Sequence, residues 1–552
     1  MAPIERRIGR LFALFVLLLL LAAGRSLYLG VVKAGMLRAA ATSQQLSAVK
    51  VPALRGTIYD RTGLELAVSE PADDVSATPY LVRDPAAAAQ ALAPLLGTSV
   101  DALLAKLVLR HTGFVYLARH VPDTRAREVA ALKLAGINLA PVSLRSYPND
   151  ALASQVLGTV GIDGKGLSGL EYSENRVLRG VDGERNVVND ALGAPISIQD
   201  VKAARPGRSI QLTLDAGVQN QVETTLGQVG AAFRPKQATA IVMDPRTNAI
   251  LAMANWPRVD ANDIGGAPVS ATQNHAVGLT YEPGSTFKIV TVAGALQDGL
   301  VTPSTSFYLP PQLQFYDRTI HDAEARGPVN LTTAQILAQS SNIGAIEIGQ
   351  RLGATRFDGW VRRFGFGTPT GVDLPGEERG IVPRLAQYSG ASMGNLPIGQ
   401  GEAVTAIQLA TAYAAIADGG VLRPPHIVAA VGGRAEPTPA GHRVIDPGVA
   451  AAVRQMLKGV LAPGGTASEV SIPGYDLSGK TGTANVAIPG GYSTTRFVAS
   501  FVGFAPAADP KVLVAVVVDE PQGGSYSGGQ VAAPAFGKIM SFALPYLKIP
   551  PG

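Results

Sequence analysis

The sequence contains no cysteine among its 552 residues. Without thiol groups the chain cannot form disulfides, use a thiolate nucleophile or bind a metal through sulfur. Only six histidines are present, and no two of them lie four residues apart. A zinc helix with two histidines one turn apart is therefore excluded. We expect neither a metal nor a cofactor.

Charged residues are also scarce, at 16% of the chain, whereas hydrophobic residues make up 47%. This composition is typical of folded protein and argues against a disordered chain. The formal net charge of +5 comes from 47 basic and 42 acidic residues. Such a weak excess does not indicate a nucleic-acid partner. A chain of this length is expected to form at least two domains.

An apolar segment follows a basic cluster near the N-terminus. Three arginines within residues 1–10 precede an apolar stretch over 11–32, which only Arg25 and Ser26 interrupt. If Arg25 extends towards the headgroups, the stretch reaches the roughly 20 residues that a membrane span needs. We predict a cytoplasmic tail over 1–10 and a transmembrane anchor over 11–32, with the N-terminus inside. The alternative is a cleaved signal peptide.

Two regions of different pattern follow the anchor. Residues 33–205 mix strand-like runs, such as 56–66, with helical runs, such as 84–96, and contain no catalytic constellation. We place a domain boundary after residue 205, where a Pro-Gly pair precedes a predicted strand. The second domain then covers 206–552.

The second domain has strand-like runs at both of its ends. Residues 238–243 and 249–253 resemble a hairpin, and further apolar runs occupy 497–504 and 512–519. The helical patterns of this domain lie near 216–228, 284–299, 331–352, 403–418 and 531–542. Strands at both ends with helices between them predict an α+β fold, in which helices flank one central antiparallel sheet.

The first of three informative segments is 282–288, Glu-Pro-Gly-Ser-Thr-Phe-Lys. Its Pro-Gly pair places Ser285 at or near a helix N-terminus, and Lys288, three residues later, shares its helical face. A serine hydroxyl needs a base to act as a nucleophile, and a lysine that burial keeps neutral can serve. Ser285 and Lys288 are therefore a candidate nucleophile and base. The alternative is an N-capping serine with a solvated lysine.

The second segment is Ser340-Ser341-Asn342, inside the helical pattern over 331–352. These side chains compete for backbone hydrogen bonds and are poor choices for a helix interior. We predict a local break that faces a cleft, with a plain surface turn as the alternative.

The third segment is 480–483, Lys-Thr-Gly-Thr. Gly482 lets a substrate backbone approach a strand edge, and Lys480 with the two threonine hydroxyls can bind a carboxylate. A glycine-rich turn with a solvated lysine is the alternative. Each segment alone is weak evidence. In this order, with separations of about 55 and about 140 residues, the three are jointly specific.

Together the three motifs resemble the signature of penicillin-binding proteins and serine β-lactamases. Over nearly its whole length the chain resembles a class B, monofunctional penicillin-binding protein, and the division-specific FtsI type looks nearest. Asn342 favours that type, because elongation-type relatives often carry Asp there. The resemblance implies an elongated mixed α/β pedestal of the dimerisation type over 33–205 and a transpeptidase domain over 206–552.

Two pedestal boxes of the family are also matched. Residues 55–63, Arg-Gly-Thr-Ile-Tyr-Asp-Arg-Thr-Gly, resemble one, and the segment that begins Gly169-Leu170-Glu171 resembles the other. The resemblance implies a structural role for six of these residues, namely Arg55, Gly56, Asp60, Arg61, Gly169 and Glu171.

The resemblance implies a peptidoglycan D,D-transpeptidase. Ser285 would attack the D-Ala-D-Ala carbonyl of a stem peptide, Lys288 would take the serine proton, and an amine of a neighbouring peptide would resolve the acyl-enzyme. Penicillins and other β-lactams mimic the donor. The resemblance further implies a proton relay through Ser340, donor-amide binding by Asn342 and repulsion by Lys480 that keeps Lys288 neutral. It also implies an oxyanion hole at the amides of Ser285 and Thr483 and a carboxylate site at the Thr481 and Thr483 hydroxyls, with Gly482 among the substrate-binding residues.

The resemblance further implies a single-pass protein of the bacterial cytoplasmic membrane with its catalytic domain outside. Its implied partners are a SEDS-type glycosyltransferase and other division proteins. An elongation-type transpeptidase and a non-catalytic division scaffold remain alternatives. A class A β-lactamase is disfavoured, since no glutamate between the second and third motifs lies in an E-x-x-L-N segment.

Overall fold

The computed structural model describes residues 2–36, 46–189, 195–316 and 318–551. The chain divides into two compact units, and each is built from several segments. The first unit consists of Met1–Leu54, Pro71–Leu144 and Gly180–Gly207. The second consists of Arg55–Glu70, Arg145–Arg179 and Arg208–Gly552. These units do not follow the predicted boundary after residue 205, which stays a prediction about domains along the chain.

The N-terminal apolar segment is helical, as its composition predicts. An α-helix spans Ala2–Leu27, and a π-helical turn continues it over Tyr28–Val32. A stretch of 18 residues within Ile4–Val32 has a mean hydropathy of 2.1, and the described chain buries none of that stretch. The 29 residues of Ile4–Val32 extend about 44 Å as a helix, enough to cross a hydrocarbon core of about 30 Å. The helix is consistent with a single-pass membrane anchor.

The first unit contains a small helical core and a separate sheet. Asp84 caps helix Pro85–Leu96 by accepting from two backbone N–H groups, and Ser99 caps helix Val100–Leu107 by accepting from one. These helices and Asp123–Ala131 bury apolar side chains against strand Val115–Pro122. The sheet is antiparallel and has the strand order Leu46–Val51, Gly183–Asn189, Pro195–Lys202.

The second unit is built around a five-stranded antiparallel sheet. Every residue of its middle strand, Val512–Asp519, is buried, which requires that helices cover both faces. The strand order is Ala249–Trp256, Gln237–Asp244, Val512–Asp519, Gly491–Ala505, Ser478–Ile488. The long helices are Ala216–Phe233, Lys288–Gln297, Asn342–Arg363, Ala406–Ala417, Pro447–Lys458 and Gly528–Tyr546. The predicted α+β architecture with a sheet assembled from distant segments is confirmed.

Shorter elements complete the described chain. The short helical segments are Pro79–Leu81, Ser154–Leu157, Gly169–Ser173, Asn175–Leu178, Ile264–Gly266, Val269–Thr272, His275–Gly278, Gly284–Phe287, Thr333–Ala338, Leu385–Gln387, Ser392–Gly394 and Leu396–Ile398. The other strands are Ile58–Tyr59, Glu65–Ala77, Ile137–Ser146, Ile210–Leu212, Thr280–Tyr281, Ser306–Leu309, Leu313–Phe315, Arg318–Ile320, Val329–Thr332, Val404–Thr405, Val421–Leu422, Val428–Val431, Arg434–Ala435 and His442–Arg443.

Both sequence boxes assigned to the pedestal lie in the second unit. Arg55 donates from Nε to Glu171 Oε2 over 2.8 Å, and Arg145 donates to the other carboxylate oxygen over 2.6 Å. The side chains of all three residues are at most 5% exposed. One buried carboxylate therefore joins two buried guanidinium groups from distant parts of the chain.

The other box residues shape the backbone around this cluster. The Asp60 carboxylate accepts from the backbone N–H groups of Thr62, Leu64 and Ala216. The first two hydrogen bonds form a turn that interrupts the strand predicted over 56–66. The N–H of Arg61 donates to the Leu214 carbonyl. A Cβ on Gly56 would lie 2.0 Å from the Arg208 carbonyl oxygen, and one on Gly169, whose φ is +53°, would lie 2.5 Å from the Gly158 nitrogen. These contacts support the predicted structural roles.

Replacing Glu171 with alanine should lower the free energy of unfolding by about 3–5 kcal/mol, because Arg55 and Arg145 would remain buried without a counter-charge. Denaturant-induced unfolding of the detergent-solubilised protein measures the change. The matched control is Asp476→Ala, which breaks the solvent-exposed Lys458–Asp476 pair in the same unit and should cost less than about 1 kcal/mol. Equal effects of the two substitutions would contradict the prediction.

Candidate active site

A tight turn presents the candidate nucleophile. Gly284 has a φ of +55°, and its N–H donates to the Gly399 carbonyl over 2.9 Å. Ser285 is half-buried in the 3-10 turn Gly284–Phe287, directly before helix Lys288–Gln297. The fully buried Tyr413 donates its hydroxyl to the Thr286 carbonyl over 2.8 Å. The turn is thus held from two sides while Ser285 remains accessible.

The second motif breaks the helix predicted over 331–352. Helix Thr333–Ala338 ends before Ser340, which has a φ of +60°, and the chain restarts as helix Asn342–Arg363. A non-glycine residue rarely adopts this left-handed conformation, and it costs about 1–3 kcal/mol. The break turns both the hydroxyl and the carbonyl of Ser340 towards the two lysines. The local break predicted inside the helical pattern is confirmed.

An aspartate that the sequence analysis missed stabilises this break. The Asp322 carboxylate accepts from the backbone N–H groups of Asn342, over 2.6 Å, and Ile343, over 3.0 Å, and also from the Ser341 hydroxyl. Burial acts to raise the Asp322 pKa, but these hydrogen bonds and the Arg326 guanidinium hold it below its usual value. Nothing in the local pattern of a loop residue marks this function in the sequence.

The three motifs meet at Ser340. Lys288 Nζ donates to the Ser340 carbonyl over 2.6 Å and to Asn342 Oδ1 over 2.8 Å, and it lies 3.4 Å from Ser340 Oγ. Lys480 Nζ donates to Ser340 Oγ over 2.8 Å. Both lysine side chains are fully buried. One serine hydroxyl therefore connects two buried amines from segments far apart in the chain.

Burial changes the protonation of both lysines. It lowers the pKa of Lys288 to about 7, and the Asp322 carboxylate acts in the opposite direction. Burial, together with the charge of Lys288, also lowers the pKa of Lys480 well below its usual value. Burial is the main cause of the shift at each lysine, and charge repulsion between the two neighbouring amines opposes the protonation of both. A neutral Lys288 can accept a proton near neutral pH.

The third motif lies on the edge strand Ser478–Ile488. Thr481 Oγ1 and Thr466 Oγ1 are 2.6 Å apart, and Thr483 Oγ1 accepts from the Gly528 N–H over 2.9 Å. A Cβ on Gly482 would lie 2.9 Å from the Pro283 carbonyl oxygen. Only glycine lets this strand lie against the turn that carries the nucleophile.

The structure thus brings together, in the second unit, the residues predicted for catalysis and substrate binding, namely Ser285, Lys288, Ser340, Asn342, Lys480, Thr481, Gly482 and Thr483. The box residues around Arg55 and Glu171 belong to the same unit but contribute to its scaffold. Like Asp322, the site residues Gly399, Thr466 and Gly528 were not predicted from the sequence, because their contacts depend on the tertiary fold.

The family pattern described as the penicillin binding protein transpeptidase domain matches residues 238–541. The chain belongs to the penicillin-binding proteins. A second pattern, the penicillin-binding protein dimerisation domain, matches residues 50–212. This pair of domains is that of a class B penicillin-binding protein, as the sequence motifs predicted.

Similar proteins span the whole chain. PbpB of Mycolicibacterium smegmatis is 35% identical and the alignment covers 99% of this chain and 91% of that protein. The peptidoglycan D,D-transpeptidase FtsI of Escherichia coli K12 is 32% identical, with coverage of 99% and 93%. The crystal structure of penicillin-binding protein 3 of Mycobacterium tuberculosis in complex with aztreonam has a TM-score of 0.72 and 31% identity, with coverage of 91% and 98%. This penicillin-binding protein is therefore of the FtsI type.

The rate of acylation by penicillin G should rise about tenfold per pH unit below about 7 and then level off, because Lys288 must be neutral to accept the serine proton. Stopped-flow acylation between pH 5 and 9 measures this profile. Asp322→Asn removes the charge that raises the Lys288 pKa and should shift the midpoint to lower pH. Glu324→Gln, an exposed neighbour, should leave the midpoint in place. A shift with Glu324→Gln alone would contradict this assignment.

Proposed function

We propose that this penicillin-binding protein crosslinks peptidoglycan stem peptides through an acyl-enzyme on Ser285, in septal wall synthesis during cell division. The observation that carries the proposal is the convergence of Lys288 and Lys480 on Ser340, beside the turn of Ser285. The names of the FtsI-type relatives support a role in division. An elongation-type role remains the alternative.

The acylation step uses the buried amines. Neutral Lys288 accepts the proton of Ser285, whose oxygen attacks the carbonyl between the two D-Ala residues. Ser340, hydrogen-bonded to Lys480, passes a proton to the departing D-Ala nitrogen as the C–N bond breaks. The amides of Ser285 and Thr483 stabilise the oxyanion, a contribution worth about 3–4 kcal/mol per donor in other enzymes. Deacylation by an amine of the neighbouring peptide repeats these steps in reverse.

The donor peptide is held along the edge strand. Thr483 Oγ1 accepts a hydrogen bond, so its own proton remains available for the terminal carboxylate. The Thr481 and Thr466 hydroxyls share one hydrogen bond, which leaves one further proton for the same purpose. Asn342, whose Oδ1 accepts from Lys288, contacts the donor amide, and the backbone at Gly482 admits an extended peptide.

Ser285→Ala should abolish the covalent penicillin G adduct, because it removes the hydroxyl group that is proposed to attack the β-lactam carbonyl. Intact-protein mass spectrometry over hours measures it, with the exposed Ser304→Ala as the matched control. Lys288→Ala should slow acylation by about 10²–10⁴-fold. An adduct that clears within seconds would favour a β-lactamase, and absence of an adduct on the unmodified protein would favour a non-catalytic scaffold.

We also propose that the anchor over residues 11–32 spans the cytoplasmic membrane once, with the tail inside and the catalytic unit outside. The arginines before the apolar helix support this orientation, since basic residues stay on the cytoplasmic side. The exported part, over 33–205 and 206–552, is proposed to contact a SEDS-type glycosyltransferase and other division proteins.

The orientation is directly testable because the chain has no cysteine of its own. A membrane-impermeant maleimide added to intact spheroplasts should label the exposed Ser304→Cys variant and leave Glu5→Cys unlabelled. Both variants should label equally after the membrane is permeabilised. Labelling of Glu5→Cys in intact spheroplasts would overturn the orientation.

A further inference from the structure

An acidic cavity lies beside the segment that carries the nucleophile. It has a volume of about 410 Å³. Its walls combine four carboxylate residues and Lys236 with an aliphatic surface. The carboxylates are Glu282, Glu402, Asp519 and Glu520, and the aliphatic surface includes Ile381 and Val486. Glu282 is three residues before Ser285, and Val486 continues the edge strand beyond Thr483. The cavity is therefore built from the same two segments as the active site.

The carboxylates that line this cavity differ in their partners. Glu520 lies 3.5 Å from Lys236 and 3.7 Å from Arg496, and Asp519 accepts from Gln237 over 3.0 Å. Glu402, by contrast, is only 2% exposed, and neither of its oxygens has a hydrogen-bond partner among the described residues. Glu282 Oε2 also lacks a partner within the described chain, so Glu402 and Glu282 have three unpartnered oxygens.

Glu282 itself is firmly positioned. Its other oxygen accepts from the Gly401 N–H and from the Tyr492 hydroxyl, each over 3.1 Å. Gly401 follows Gly399, whose carbonyl accepts from the turn before Ser285. Hydrogen bonds from the segment 399–401 thus hold both the Glu282 carboxylate and the turn that carries Ser285.

Buried carboxylates without partners are costly, since such groups are almost always hydrogen-bonded or paired in proteins. Burial and the neighbouring charge of Glu282 raise the pKa of Glu402 well above its usual value, and the charge of Arg362 acts in the opposite direction. A cation between the two carboxylates would donate to the unpartnered oxygens and would offset the repulsion between the two negative charges.

The chemistry of the lining selects among cations. No group of three His, Asp or Glu residues that could hold a metal ion occurs in the described part of the chain. A primary ammonium group carries three donors, the same number as the unpartnered oxygens of Glu282 and Glu402. The aliphatic wall at Ile381 and Val486 suits a methylene chain attached to it.

We propose that this cavity binds the aliphatic ammonium group of the acceptor stem peptide, with Glu402 and Glu282 as its carboxylate partners. The inference rests on the proposed transpeptidase function, since it assigns the subsite for the second substrate. Before acyl transfer, the bound ammonium group would give one proton to the Glu402 carboxylate. The free amine would then form the new amide bond as the ester bond to Ser285 breaks, and its second proton would return to the Ser285 oxygen through Lys288.

Binding to the full-length protein in detergent tests the subsite without any acyl transfer. Titrations followed by saturation-transfer NMR compare Nα-acetyl-lysinamide with Nα-acetyl-norleucinamide, which has the same chain without the ammonium group. The lysine probe should bind at least tenfold more tightly, and Glu402→Gln should remove that preference. Equal binding of both probes to the unmodified protein would overturn the proposal.

Two further variants keep this test decisive. Glu520→Gln removes a carboxylate of the same cavity that already lies beside Lys236 and Arg496. It should therefore keep the preference for the lysine probe within twofold. Glu282→Gln should lose the preference as Glu402→Gln does, which covers the case in which one variant does not fold. Loss with Glu520→Gln and not with the other two would contradict the assigned partners.

A second readout separates this inference from the proposed function. With a thioester donor, the partition of the acyl-enzyme towards Nα-acetyl-lysinamide over water should fall at least tenfold in Glu402→Gln. Acylation by penicillin G should stay within twofold, because the donor side is unchanged. Absence of any acyl-enzyme would refute the proposed function, whereas normal acylation with an unchanged partition would refute the acceptor subsite.

Discussion

The burial of two lysine amines around one serine hydroxyl is the constraint on which the rest of the site depends. Water would keep Lys288 and Lys480 protonated, and neither could then accept a proton at neutral pH. Their burial, complete in both cases, moves the Lys288 pKa to about 7. Ser340 can connect the two amines only because the backbone leaves the helical conformation at that residue.

The sheet and its glycines make this burial possible. The edge strand lies against the nucleophile turn because Gly482 has no side chain to separate them, and Gly284 with Gly399 allows the turn itself. Asp322 then ties the restarted helix to the loop before it. The strain at Ser340 is maintained by contacts from every side, as is common where backbone strain serves a functional site.

Two groups of buried charge in the second unit differ in one respect. Glu171 is fully compensated by Arg55 and Arg145, which is what a structural cluster requires. At Glu402 and Glu282, three carboxylate oxygens lack a hydrogen-bond partner among the described residues. The first arrangement supports the scaffold on which the site is built, whereas the second has the unsatisfied hydrogen-bonding capacity expected of a binding site.

The sequence by itself determined the family, the α+β architecture and the identity of the motif residues, because their order and spacing are properties of the chain. It also marked Ser340 as a poor helix residue. Only the tertiary structure decided that Asp322 supports that break, that the pedestal boxes around Arg55 pack in the second unit, and that Glu402 is buried without a partner. Burial and pairing depend on segments hundreds of residues apart, and no local pattern encodes which of them will meet.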